Sequence, residues 1–193
     1  MFDLVVSTIS QGLLWAIMAL GVFLTFRVLD IADLSVEGTF PLGAAVAAIL
    51  IASDQPIWLA TLLAVLAGCA AGTVTAILTT KLKIPALLSG ILTMIGLYSV
   101  NLMVMGKANV PLLRNETIFT LTESTFGVSQ SIATFIVGFC ACIIVGLIMY
   151  WFFGTVLGTA IRATGCNANM ARAQGINTNF NIVLGLMLSN GLV

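Results

Sequence analysis

The sequence predicts an all-α protein, a polytopic transmembrane helix bundle, from its composition and from the length of its apolar segments. Of 193 residues, 60% are hydrophobic and 7% are charged, whereas about a quarter of the residues in a soluble domain carry charge. The mean hydropathy is +1.17, and apolar segments of roughly 20 residues, the length that crosses a bilayer, recur along the chain. A surface facing water cannot be built from this composition, so we expect lipid around the helices.

The charge balance and the missing side-chain types exclude several classes of function. Seven Lys and Arg residues offset seven Asp and Glu residues, so no basic surface favours a nucleic acid partner. The chain has no histidine, the commonest general base and metal ligand. Cys140 and Cys142 lie inside an apolar segment, where cysteine behaves as a small hydrophobic residue. We therefore expect no catalytic centre, metal site or cofactor, and the absence of a Gly-x-x-x-x-Gly-Lys loop predicts that this chain does not hydrolyse ATP.

Five apolar segments are interpreted as complete spans, although the second is short. Pro56, in the turn after the second segment, can start the next helix. A sixth segment would reach only about 18 Å at 1.5 Å per residue, too short for a hydrocarbon core of about 30 Å. We therefore expect residues 1–193 to form a single transmembrane domain that is truncated at its C-terminus. The predicted spans are residues 4–28, 39–53, 57–80, 86–105 and 131–153, with 182–193 incomplete.

The basic residues predict the orientation of the chain in the membrane. If the five spans alternate in direction, Arg27, the pair Lys81 and Lys83, and the pair Arg162 and Arg172 all lie on one side. Loops on the cytoplasmic side of a membrane carry an excess of Lys and Arg. We therefore expect an extracytoplasmic N-terminus and a cytoplasmic loop after the fifth span.

Small residues recur at every fourth position of the third span. Such a stripe lets another helix backbone approach closely, which favours association where lipid offers no hydrophobic gain. We expect it to form a seam between helices of one subunit rather than a dimer interface. The stripe consists of Ala60, Ala64, Gly68, Gly72 and Ala76.

Charged residues cluster between the first two spans, where Arg27 is followed by Asp30, Asp33, Glu37 and Gly38. If this segment were helical, the three carboxylates would share one face, because they lie three and four residues apart. Shortened spans in transporters often expose helix ends to the translocation path, and carboxylates at membrane depth are functional candidates. The alternative is a cytoplasmic turn in which Asp30 or Asp33 caps the next helix and Arg27 anchors at the interface. The sequence leaves both interpretations open.

The segment after the fifth span, residues 154–181, combines helix start and stop signals. Asn167 can cap a short helix, predicted over residues 169–174, and Gly175 can end that helix with a left-handed residue. A short helix presented between two spans suits docking into a groove of another protein. The alternative is an ordinary connection between spans.

A second polar segment, residues 106–130, separates the fourth and fifth spans. On the predicted orientation this segment is extracytoplasmic, and it could contact a protein that delivers a solute. A solvated connection is the simpler interpretation. Its polar and turn-forming residues include Pro111, Arg114, Glu116 and Glu123.

Two stretches of the sequence resemble the permeases of bacterial ABC importers of the branched-chain amino acid and ribose-type group. The first, Phe26–Ala44, resembles the polar, glycine- and acid-containing segment that follows the first long helix of that family. The second, Arg162–Asn177, resembles the family's cytoplasmic coupling loop. This loop corresponds to the EAA-type motif, which docks on the ATPase subunit.

The resemblance implies which residues of the second stretch couple to an ATPase. When the motif is matched on Gly175, its triplet falls on Asn169, Met170 and Ala171, so only Ala171 and Gly175 keep the general pattern. The branched-chain and ribose-type group commonly lacks the motif's glutamate. The coupling residues implied in this way are Arg162, Gly165, Asn167, Met170, Ala171, Arg172, Gly175 and Ile176.

The resemblance also implies a division of labour among subunits in a bacterial cell membrane. A second copy of the permease would complete the path, a separate ABC ATPase would hydrolyse ATP, and an extracytoplasmic binding protein would deliver a small, amino acid-like solute. The sequence from Asp30 to Glu37 is similar to that of a subgroup of these permeases associated with aromatic amino acids. The alternative function is a secondary transporter or channel without an ATPase, which would need an ion or proton site of its own.

Overall fold

The structure is all-helical in the parts of the chain that it describes. This computed structural model describes residues 2–107, 120, 122, 127 and 129–193. Every regular element in these ranges is an α-helix or a π-helical turn, which confirms the predicted all-α fold. The helices are α1 (Phe2–Phe23), which continues as a π-helical turn (Leu24–Val28), α2 (Val36–Ala52), α3 (Ile57–Thr80), α4 (Ala86–Met105), α5 (Gln130–Phe153), α6 (Val156–Cys166), α7 (Ala168–Ala173) and α8 (Thr178–Leu192).

Within the described residues, four helices are long and apolar enough to cross a membrane: α1 with its π-helical extension, α3, α4 and α5. α2 is also apolar, but its 17 residues extend only about 26 Å. It begins at Val36, before the predicted start of the second span at residue 39. The predicted limits of the third and fourth spans coincide with those of α3 and α4.

The segment predicted to connect the fifth and sixth spans, residues 154–181, is mostly helical and includes the predicted short helix. It contains α6, α7 and the first turn of α8, which begins at Thr178 rather than at residue 182. Thr155 starts α6, because its Oγ1 accepts a hydrogen bond from the Gly158 N–H at 3.3 Å. Ile161 then buries α6 against the bundle. This packing stabilises α6 and is not visible in the local sequence.

The first helix ends in a π-helical turn that leads into a non-helical connection. The Leu29 N–H donates to the Leu24 carbonyl oxygen at 3.1 Å, and the Ile31 N–H donates to that of Thr25 at 3.0 Å. Asp30 follows with a positive φ of 55°, and the chain stays non-helical until α2 begins. The acidic residues of this region therefore do not share one helical face.

The last helix, α8, packs along α3 with their backbones in close approach. A Cβ atom at Gly68 would collide with the Asn190 carbonyl oxygen, and one at Gly72 would collide with the Leu186 carbonyl oxygen. Because successive residues of α3 meet earlier residues of α8, the two helices are antiparallel. In the predicted small-residue stripe, both glycines face α8.

α8 also packs against α1, so it lies between α1 and α3. The Ser189 hydroxyl donates to the Gly21 carbonyl oxygen at 2.7 Å. Nearer the start of α8, a Cβ atom at Gly185 would collide with the side chain of Leu29. α1 and α8 are therefore antiparallel as well, and α8 connects α1 with α3.

Hydroxyl groups connect the remaining long helices. In the α3–α4 hairpin, Thr75 Oγ1 donates to Thr93 Oγ1 at 2.9 Å, and the hydroxyls of Thr79 and Ser89 lie 2.6 Å apart. Between α1 and α5, the Ser10 hydroxyl donates to the Ser131 carbonyl oxygen at 3.3 Å. Such bonds hold helices together where lipid supplies no hydrophobic driving force.

The antiparallel packing of α8 brings five of the six basic residues in the described chain segments to one end of the bundle. The ends of α1 and α3 both lie beside the start of α8. Arg27 is in the last turn of the π-helical extension, and Lys81 directly follows α3. Lys83, Arg162 and Arg172 lie in the connections at the same end, whereas Lys107 follows α4 at the opposite end.

The glycine contact between α3 and α8 predicts a position-specific effect on stability. Gly72→Ala should lower the free energy of unfolding by about 1–3 kcal/mol, because the added methyl group forces two backbones apart. Gly146→Ala in α5 is the matched control: its Cβ would meet nothing within 4 Å, so alanine should be neutral or stabilise the helix by about 0.5–1 kcal/mol. Unfolding of both variants in detergent, followed by circular dichroism, measures the difference. Equal stability of the two would contradict the close packing.

Candidate functional site

Asp33 lies at the centre of a buried polar network between α1 and α2. Its side chain is 2% exposed. Asp33 Oδ1 accepts a hydrogen bond from the Ser35 N–H at 2.9 Å, and Oδ2 accepts one from Asn190 Nδ2 at 2.9 Å. Both carboxyl oxygens are therefore engaged within the protein, which suits a structural role better than contact with a solute.

Asn190 completes the network from α8. Its Oδ1 accepts hydrogen bonds from the Ser35 hydroxyl at 3.0 Å and from the Thr39 hydroxyl at 2.8 Å. Its Nδ2 also donates to the Leu186 carbonyl oxygen at 3.0 Å. One side chain of α8 thus binds the α1–α2 connection and the first turn of α2.

The network lies inside the membrane-spanning part of the bundle. Asn190 packs against Gly72, which stands eight residues before the end of α3 at Thr80 and hence about 12 Å from it. Gly90, in α4, lies against Asp33 and the amide of Leu34. α2 therefore starts below the bundle surface, and polar groups at this depth must find partners within the protein.

The other predicted path residues occupy different environments. Asp30 is exposed in the non-helical connection, and Glu37 is exposed in the first turn of α2. Gly38 is buried against α4, where a Cβ atom would lie 3.0 Å from the Met94 Cα. Neither aspartate side chain caps α2, whose N-cap residue is Ser35. The structure thus separates Asp33 from Asp30 and Glu37 instead of presenting all three together.

α7 is a short helix with a defined start and end. Asn167 Oδ1 accepts hydrogen bonds from the N–H groups of Asn169 at 3.1 Å and Met170 at 3.0 Å. At the other end, Gly175 adopts a positive φ of 81°, and the Ile176 N–H donates to the Ala171 carbonyl oxygen at 3.0 Å. This is the Schellman end of a helix, so the predicted cap and stop are confirmed.

Side-chain contacts fix α6 and α7 to the bundle. Asn181 Nδ2 in α8 donates to Thr164 Oγ1 in α6 at 2.9 Å. Arg172 Nε in α7 donates to Thr178 Oγ1, at the start of α8, at 3.2 Å. Gly165 packs directly on the backbone of Val28, which leaves no room for a side chain.

The outer surface of α7 is available to a partner. Met170 is 62% exposed, whereas Ala171 is buried. Arg162 and Arg172 are also exposed, and Ile176 is half-buried. A groove of about 350 Å³ between α6 and α7 is lined by Ala163, Cys166, Asn167, Met170, Ala171, Gln174 and Ile176.

The predicted extracytoplasmic contact lies mostly outside the described residues. Pro111, Arg114, Glu116 and Glu123 all fall there, so the contact stays a prediction. Among the described residues, no group of three or more acidic, cysteine or histidine side chains could hold a metal ion.

Comparison with known proteins decides the family. The family model for the permease component of branched-chain amino acid transport systems matches residues 4–192. The chain belongs to this permease family. The resemblance seen in the sequence is thereby confirmed, and with its apolar helices the permease is a multi-pass membrane protein.

Two relatives resemble the permease over nearly all of its length. A protein of Clostridioides difficile (strain R20291) named "Tyrosine transport system permease protein" is 39% identical over 98% of this chain and 61% of its own length. An uncharacterized protein of Rickettsia prowazekii (strain Madrid E) is 30% identical over 98% of this chain and 65% of its own length. The permease chain thus spans less than two thirds of either relative. No solved structure matches it.

Sequence reasoning missed the residues that connect the permease helices across the bundle. Asn190, Asn181 and Asn101 are buried amides, and all three lie within apolar helices. A polar residue inside a span is costly and usually has a partner, and that signal was present in the sequence. Their partners could not be identified in advance, because they lie far away along the chain.

The Asp33–Asn190 hydrogen bond predicts thermodynamic coupling between the α1–α2 connection and α8. In a double-mutant cycle of Asp33→Ala and Asn190→Ala, the two effects on unfolding free energy should be non-additive by about 0.5–3 kcal/mol. Asn179, exposed in the first turn of α8, supplies the control, and Asn179→Ala should be additive with Asp33→Ala. Chemical denaturation in detergent measures all free energies. Additive effects in both cycles would show that the bond contributes nothing.

Proposed function

We propose that this chain is a membrane-spanning component of a bacterial ABC importer and that α7 couples it to a separate ATPase. The family model and the named relative in Clostridioides difficile support the transport role. The observation that carries the coupling assignment is the geometry of α7, a six-residue helix capped at both ends and presented between α6 and α8.

The surface of α7 suits docking into a groove of a soluble partner. Met170 offers an exposed apolar side chain, and flexible methionines adapt well to binding surfaces. Arg172 adds an exposed positive charge while its Nε remains bonded to Thr178. Gly165, Asn167, Ala171, Gly175 and Ile176 shape the helix and its seat, so we assign them positioning roles.

The solute in this proposal is small and amino acid-like. The family description, which names branched-chain amino acid transport, supports this solute class. An extracytoplasmic binding protein delivers the solute, and a second permease copy completes the path. Glu37 and Gly38, at the start of α2, lie at the path, whereas Asp33 holds the connection in place and Asp30 lies at its edge.

The coupling surface can be tested with a matched pair of substitutions. Met170→Glu should reduce co-purification with a co-expressed ABC ATPase of a branched-chain amino acid importer by about tenfold or more, because a charge replaces an apolar contact in the proposed interface. Met170→Leu keeps the apolar surface and should retain association. A pull-down from detergent-solubilised membranes, quantified by immunoblot, measures both. Undiminished association of Met170→Glu would overturn the coupling assignment. If the protein were instead a secondary transporter or channel, the wild-type chain itself would not retain an ATPase.

The positive-inside distribution makes a prediction about orientation. Cys166, exposed at the basic end of the bundle, should be cytoplasmic, and Asp54, in the turn between α2 and α3, should be extracytoplasmic. In spheroplasts, a membrane-impermeant maleimide should therefore label Asp54→Cys but not Cys166. Detergent permeabilisation should expose both positions. These assays use a background in which Cys69, Cys140 and Cys142 are alanine, and labelling of Cys166 in intact spheroplasts would reverse the orientation.

A further inference from the structure

A cavity lies at the junction of α5 and α6, at the basic end of the bundle. Its volume is about 470 Å³. The last turn of α5 supplies aromatic side chains, and α6 supplies an arginine. Because α5 is one of the helices long enough to cross a membrane, the cavity stands where a span reaches the membrane surface. It is lined by Tyr150, Trp151, Phe153, Gly154, Thr155 and Arg162.

The packing of α6 on the end of α5 determines where the arginine lies. A Cβ atom at Gly158 would collide with the Phe152 carbonyl oxygen, so the two backbones touch there. Ile161 is fully buried in the apolar cluster at this end of the bundle. Arg162 follows Gly158 by four residues, which places it on nearly the same face of α6 and about 6 Å further along the helix axis. The arginine is therefore held beside the end of the span.

The unused polar groups of the cavity wall are hydrogen-bond donors. Arg162 carries a permanent charge and five N–H donors, and Trp151 and Tyr150 add an indole N–H and a phenolic O–H. In the part of the chain that the structure describes, none of these three side chains forms a hydrogen bond or an ion pair. The Thr155 hydroxyl is already used, because it donates to the Phe152 carbonyl oxygen at 2.6 Å. No acidic residue lines the cavity, so its wall complements an anion that accepts hydrogen bonds.

The surroundings of the cavity favour a lipid as the source of that anion. Tyr150 is 83% exposed and Trp151 is 72% exposed, and such aromatic rings at the ends of spans lie at the level of the lipid headgroups. Val156, directly after Thr155, is 85% exposed and offers apolar surface to the glycerol backbone and acyl chains. A free anion would gain nothing from these apolar surfaces.

We propose that the α5–α6 cavity binds the phosphate of an anionic phospholipid in the leaflet at the basic end of the bundle. The Arg162 guanidinium donates to the phosphate oxygens, and the aromatic side chains border the headgroup. Basic pockets at the membrane surface recognise anionic headgroups in this way. Arg162, which the family resemblance places among the coupling residues, thereby holds α6 at the membrane while α7 presents its outer surface to a partner.

The test measures quenching of Trp151 fluorescence by lipids with brominated acyl chains. The full chain with Trp15→Phe and Trp58→Phe keeps Trp151 as its one tryptophan and is reconstituted into phosphatidylcholine bilayers. Titration with brominated phosphatidylglycerol should give an association constant about fivefold higher than titration with brominated phosphatidylcholine. Arg162→Gln should abolish this preference, whereas Arg162→Lys should retain part of it, because lysine keeps the charge but not the planar set of donors.

Two matched controls locate the binding site. Trp58 is 69% exposed near the start of α3, at the opposite end of the bundle. A chain that keeps Trp58 as its one tryptophan should therefore be quenched equally by the two lipids. Arg172→Gln removes an exposed arginine that does not line the cavity, so the lipid preference at Trp151 should be unchanged.

Four results would overturn the lipid site. These are equal quenching of Trp151 by the two lipids, an unchanged preference in Arg162→Gln, and loss of the preference in Arg172→Gln. The fourth is loss of the preference in sodium phosphate but not in sodium chloride of equal ionic strength, which would assign the cavity to a free anion. The ATPase pull-down separates this site from the coupling surface. If Arg162→Gln lost the ATPase and kept the lipid preference, the cavity would belong to the ATPase interface instead.

Discussion

The side-chain amide of Asn190 bonds to groups on three parts of the chain: Asp33 in the α1–α2 connection, Ser35 and Thr39 at the start of α2, and the backbone of α8 itself. Inside a bilayer no water is present to form hydrogen bonds with such groups, so the protein has to supply their partners. The connection between α1 and α2 can therefore leave the helical conformation at membrane depth only where Asn190 meets it. The position of α8 and the start of α2 are fixed by the same set of hydrogen bonds.

This dependence links the two ends of the proposed coupling route through one helix. Arg172 in α7 bonds to Thr178, the first residue of α8, and Asn190 lies twelve residues later, about 18 Å along the same helix. A movement of α7 that pulls on the start of α8 therefore reaches the connection around Asp33 without passing through a flexible loop. Beyond that connection, the first turn of α2 packs against α4, where Gly38 lies close to Met94. Physical contiguity of this kind is a requirement for coupling, and the double-mutant cycle measures its strength at Asn190.

The parts of the fold that local signals determine could be predicted from the sequence. The starts of α3 and α4 lie directly after Pro56 and Pro85, and the ends of α7 follow from Asn167 and Gly175. α2 was predicted to start too late, because its first turn is stabilised by contacts with α4 and α8 rather than by its own residues. For the same reason the sequence could not decide between the two interpretations of Asp30, Asp33 and Glu37. Asp33 can be buried because Asn190 donates a hydrogen bond to it. The two residues are 157 positions apart, so the sequence near Asp33 does not reveal this partner.

The glycines at the α3–α8 contact also limit how the bundle can change shape. Gly68 and Gly72 have no side chains, and the α8 backbone fills the space beside them. Rotation of α8 about its axis would bring larger side chains into that space, which is too small for them. This close backbone contact opposes rotation of α8 against α3. The contact of α1 with α2 is different in kind, because there the side chains of Trp15 and Phe40 meet, with ring centroids 5.7 Å apart. A contact between side chains can adjust by a change of rotamer, so it restricts relative helix movement less than the backbone contact of α3 and α8.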